Sequence, residues 1–138
     1  MKDRHLTEEF TTELFKACFD NGNIFDVVRQ HLKYSYLINE VEKKFWKECL
    51  TQYTLKEKRP TLGVVQIALR KEKDVLAYIA KVKSTIVDDH ADIVEAFKQF
   101  IKEGKFVELF NEVADEYIYK NSPEFSVELF KIYKSNKK

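Results

Sequence analysis

The chain has 138 residues, with 24 Lys+Arg against 23 Asp+Glu and a formal net charge of +1 at pH 7. Eleven Phe, seven Tyr and one Trp supply ample surface for burial, which excludes disorder as the dominant state, and the balanced charge excludes a strongly basic nucleic-acid binder. Three Gly and two Pro leave little for phosphate-cradling loops or turn-dense β architecture, so composition points to one helical domain of ordinary size.

The first helix opens at Leu6-Thr7-Glu8-Glu9-Phe10. Thr7 is its N-cap, and two acids in the first turn offset the helix dipole. Phe10, Leu14 and Cys18 recur at i+4, with Phe15 and Phe19 widening the stripe, until Asp20-Asn21-Gly22-Asn23 turns the chain. A short second helix runs from Ile24 to Leu32 with Ile24, Val27, Val28 and His31 on one face, placing His31 at the edge of the core. Tyr34-Ser35-Tyr36-Leu37 is β-prone but too short for a sheet and reads as a connector.

Asn39 caps a third helix to about Tyr53, with the stripe Val41, Phe45, Trp46, Cys49, Leu50 and Tyr53. Lys56-Glu57-Lys58-Arg59 forms a charged loop before Pro60. Thr61 caps a fourth helix, Leu62 to Leu69. A fifth covers Asp74 to about Lys83, with Val75, Ile79 and Val82 inward, and Ser84 to Val87 is a linker. From Ile93 the apolar or small residues Phe97, Phe100, Gly104, Val107, Phe110, Ala114 and Tyr117 follow at steps of three or four. That phase survives Gly104, although glycine costs roughly 1 kcal/mol relative to alanine there. One helix over about 90–120 results, on the order of 45 Å long. Ser122-Pro123-Glu124 restarts a last helix to about residue 135. The architecture is therefore all-α: a helical body, 1–87, followed by a C-terminal helical hairpin, 88–138.

Charge divides with the architecture. The body holds 16 basic and 12 acidic residues, and the hairpin 8 basic and 11 acidic. This asymmetry favours head-to-tail contacts between subunits, or is simply a pair of solvated surfaces of unequal sign. No apolar leader follows the N-terminus, and no apolar run approaches a membrane span, which points to a cytoplasmic protein without membrane partners. Cys18 and Cys49 fall among apolar helical positions and read as buried thiols in a reducing compartment.

A phosphate loop of the Walker type is absent, and His5, His31 and His90 are isolated from one another and from paired cysteines. Asp88, Asp89 and Asp92 form an acidic group better explained by the helix start they adjoin than by a cation. Lys43-Lys44-Phe45-Trp46-Lys47 interleaves bases with rings, but helical geometry turns Phe45 and Trp46 inward. Lys56, Lys58, Arg59, Arg70 and Lys71 are candidate phosphate contacts, with a solvated loop as the alternative.

The hairpin carries more aromatic surface than two helices can bury in each other. Phe106, Phe110, Val113 and Tyr117 on its first helix and Phe125, Phe130 and Tyr133 on its second are candidates for self-association or partner binding.

The pattern resembles the N-terminal domain of DnaB-type replicative DNA helicases, in a divergent phage-like version. The resemblance rests on Leu14-Phe15, Ile24-Phe25-Asp26-Val27-Val28, Tyr36-Leu37, Phe45-Trp46 with Tyr53, and Arg59-Pro60-Thr61 before the apolar segment ending at Leu69. Lys105-Phe106-Val107-Glu108-Leu109-Phe110, Tyr117 and the Ser122 restart resemble the family's helical hairpin. The resemblance implies a non-catalytic domain that dimerises through the hairpin, with three dimers forming a collar on a hexameric ring. It implies a primase or helicase loader as partner and indirect association with DNA. ATP and Mg would belong to a separate RecA-like motor, so no cofactor is expected in this chain. Rival readings are a free-standing helical adaptor for another replication protein and a weak nucleic-acid-binding module.

Overall fold

The computed structural model describes residues 4–120, and side chains through Phe110. Every regular element among them is helical: α1 (Glu8–Asp20), α2 (Gly22–His31), a 3₁₀ turn (Tyr34–Tyr36), α3 (Glu40–Lys56), α4 (Leu62–Ala68), α5 (Lys73–Ser84) and α6 (His90–Lys120). The fold is all-α. The second hairpin helix expected over 123–135 lies outside the described residues.

Local chemistry sets most helix starts. Thr7 Oγ1 accepts the Phe10 amide at 3.1 Å, and Thr61 Oγ1 accepts the Val64 amide at 3.3 Å. Asn39 and Glu42 make a reciprocal capping box: Asn39 Oδ1 accepts the Glu42 amide at 2.9 Å, and Glu42 Oε1 accepts from Asn39 at 3.4 Å and Ile38 at 3.1 Å. α3 runs one turn beyond Tyr53 and absorbs Lys56 from the expected loop. It stops where Glu57 turns left-handed at φ 54°. The helix formers Leu55 and Lys56 carry it that far.

The chain divides into two compact units, Met1–Val94 and Glu95–Lys138. This division falls inside α6, after its first turn. The first turn is tied into the first unit by His90 Nε2 against Asp20 Oδ2 at 2.8 Å.

The first unit is built on stacked rings. Phe15 lies on Trp46 at 5.1 Å and 13°, Phe45 meets Phe15 at 5.1 Å, and Phe25 meets Trp46 at 5.6 Å. Trp46, Phe15, Phe25 and Phe45 are fully buried, as are Leu14, Leu37, Val65, Val75 and Ile79. Such pairs contribute about 0.5–1.5 kcal/mol each beyond area burial. On α2 the inward face is Ile24, Phe25 and Val28, whereas His31 is exposed. The helix begins at Gly22, its inward face takes in the large Phe25 ring, and His31, its last residue, does not take the core-edge position expected for it.

In the second unit, Phe97 and Gly104 are buried, and Phe100, Ile101, Phe106 and Val107 are half-buried. Of the three-and-four spacing read from the sequence, Phe97, Phe100, Gly104 and Val107 thus follow the inward face of the helix.

Candidate functional site: the outer half of the long helix

Burial along α6 fades between Phe97 and Phe110. Phe97 is fully buried, whereas Leu109 and Phe110 are 46% and 41% exposed. Phe106 and Phe110, one turn apart, bring their rings to 6.1 Å at a 47° tilt. This preforms a small aromatic ridge, with Leu109 beside Phe110 in sequence. Burying the exposed remainder of Leu109 and Phe110 would contribute about 1 kcal/mol each. Val113 and Tyr117 belong to α6 in the stretch 111–120, whose side chains lie outside the described set. Phe125, Phe130 and Tyr133 lie outside the described residues altogether. Of the candidate interface residues, the structure therefore joins Phe106 to Phe110. It adds Leu109, which the sequence did not single out because an apolar residue off the main stripe carries no signal of its exposure.

The five basic candidates have different surroundings. Lys56 ends α3, and Lys58 follows the left-handed Glu57; both are exposed. Arg59 is half-buried, and its Nη1 donates to the Cys18 carbonyl in the last turn of α1 at 2.9 Å. A cation there offsets the negative end of the α1 dipole and satisfies a terminal carbonyl. Arg70 Nη1 donates to the Ile67 carbonyl at 2.9 Å, doing the same for the short α4. Lys71 is exposed in the turn before α5. Two of the five thus serve helix ends.

Other polar groups in the first unit serve the fold. Glu42 is fully buried, and burial pushes its carboxyl above the usual carboxylate range, against the opposing effect of the Asn39 and Ile38 amides. Tyr78 reaches Thr12 across the core, hydroxyl to hydroxyl, at 3.1 Å. Burial likewise pushes the Tyr78 hydroxyl upward. Both thiols are free and buried, and burial raises Cys18 and Cys49 well above the ordinary thiol range. They stay protonated at neutral pH and are poor nucleophiles. Asp89 Oδ1 accepts the Asp92 amide at 3.2 Å, so the acidic group before α6 caps its first turn. Among the described residues no cluster of three His, Cys, Asp or Glu side chains is placed to hold a metal ion. Among them, too, no helix is long and apolar enough to cross a membrane.

What this arrangement can do is bury apolar surface on association. Comparison with protein-family models, with curated proteins and with solved structures returned no match.

Proposed function

We propose that this chain is a non-catalytic homo-oligomerisation module, of the kind that forms the N-terminal domain of a DnaB-type replicative DNA helicase. The observation that carries the reading is the ridge of half-buried Phe106 and exposed Leu109 and Phe110 on a 31-residue helix. The first unit buries Phe15, Phe25, Phe45 and Trp46 in a core of its own. A long helix presenting aromatic surface to solvent leaves a large apolar contribution unrealised until a partner covers it. The family resemblance, with its Arg59-Pro60-Thr61 motif and hairpin restart at Ser122, supplies the helicase part of the reading.

Sedimentation velocity over a micromolar concentration series tests the association. Wild type is expected to sediment as a dimer or larger, and Phe110→Glu to shift it to monomer without loss of helical content. A wild-type monomer at high micromolar concentration overturns the reading. The helicase part has its own test in the reading frame beyond Lys138. A Walker-type lysine loop downstream is the expected result, and a longer frame without one removes the helicase assignment while leaving self-association standing.

A further inference from the structure

Three buried side-chain atoms of the first unit have no hydrogen-bond partner in the protein: Thr11 Oγ1 on α1, and Glu42 Oε2 and Trp46 Nε1 on α3. All three residues are fully enclosed. Polar atoms so placed are uncommon, because each gives up its bonds to solvent and gains none in return. Their polar neighbours are accounted for. Glu42 Oε1 takes the Ile38 and Asn39 amides, and the Thr12 hydroxyl meets that of Tyr78.

The three atoms belong to one level of the core. Glu42 and Trp46 stand one turn apart on the same face of α3, and Thr11 and Phe15 do the same on α1. Phe15 stacks on Trp46 at 5.1 Å. Earlier in both helices, Glu8 lies close enough to act on the Glu42 carboxyl; later in both, Cys18 acts on the Cys49 thiol. The order Glu8, Phe15, Cys18 thus meets the order Glu42, Trp46, Cys49, and the two helices run in the same direction. Thr11 and Glu42 therefore face each other one turn before the Phe15–Trp46 stack.

The chemistry of the three groups suits one small molecule. The indole N–H only donates, the threonine hydroxyl donates or accepts, and Oε2 accepts when ionised or donates when protonated. A water has two donor and two acceptor sites. It can accept from Trp46 and serve Thr11 and Glu42 with the sites that remain, in either ionisation state of the carboxyl. Three bonds are the usual complement of an internal water.

We infer that one water is bound in the core between α1 and α3, held by Thr11 Oγ1, Glu42 Oε2 and Trp46 Nε1. It gives the capping box of α3 a polar link to α1 and lets the Glu42 carboxyl sit among the rings with both oxygens bonded. The site takes nothing from α6, so it stands whether or not the chain self-associates.

Trp46 is the only tryptophan, so its indole proton is a single resonance. In NMR of the full chain that proton is expected to cross-relax with the water signal, with the sign that marks a long-lived bound water. A crystal structure at atomic resolution is expected to place one water oxygen within about 3.2 Å of all three atoms. An indole proton with no such cross-peak, or a Trp46 Nε1 bonded directly to Glu42 Oε2 with no water beside them, overturns the inference.

Discussion

Two aromatic pairs set the first unit and the long helix apart. Phe15 stacks on Trp46 at 5.1 Å, and neither ring touches solvent. Phe106 and Phe110 approach to 6.1 Å, but Phe110 remains 41% exposed. The chemistry of the rings is the same, and the difference lies in how many elements converge on them. Phe15 has Phe45, Trp46 and Tyr78 around it, drawn from α3 and α5. The first pair is an internal source of stability. The second is a surface whose contribution comes only when something covers it.

That contrast breaks most visibly under substitution to alanine. Trp46→Ala should cost about 3–5 kcal/mol in denaturant unfolding, because it opens a cavity beneath the Phe15 and Phe25 rings. Phe110→Ala in dilute, monomeric protein should change stability by no more than about 1 kcal/mol. A large loss at Phe110 in the monomer would show that its ring is already committed to the fold, and would remove the reason to seek a partner for it.

A smaller effect comes from the capping box. Asn39→Ala should lower stability by about 1 kcal/mol through the loss of the acceptor for the Glu42 amide. The smallest concerns pH. The folded chain holds the Glu42 carboxyl above the usual range through burial, so it binds its proton more tightly folded than unfolded. The stability from that proton is fully present below the free carboxyl value of about 4.3 and is lost as pH rises through the higher folded value. Glu42→Gln keeps an acceptor for the Ile38 and Asn39 amides and cannot ionise. The melting temperature of wild type relative to this variant should therefore fall as the pH is raised from acid to neutral. A constant difference across that range would mean that Glu42 ionises as easily in the fold as in water.

Much of the fold was legible because it rests on local chemistry. Thr7, Asn39 and Thr61 declare helix starts by side-chain acceptors three residues from their donors. The continuity of α6 through Gly104 follows from an apolar spacing that does not lose phase there. What could not be read depends on contacts distant in sequence. Arg59 serves the end of α1 from 41 residues away, and Thr12 meets Tyr78 across 66. Neither link leaves a mark in local pattern. Glu42 lies in the first turn of α3 yet is fully buried, where its carboxyl feels the charges of Glu8 on α1 and Lys81 on α5. His31 shows the converse: spacing puts it near the Ile24 and Val28 face, but it is the last residue of α2 and is exposed, while Leu32 just beyond it is buried. At the candidate interface, the Phe106–Phe110 row was legible from i, i+4 spacing. The exposure of Leu109 was not, because exposure is a property of what fails to arrive from elsewhere in the chain.

Amide hydrogen exchange as a function of protein concentration tests the central claim most directly, since it reads both regions in one sample. Protection across residues 106–110 should rise steeply from low to high micromolar concentration, while amides around Phe15 and Trp46 exchange at the same slow rate throughout. Protection of the 106–110 stretch that is already high in dilute solution and does not change with concentration would contradict it.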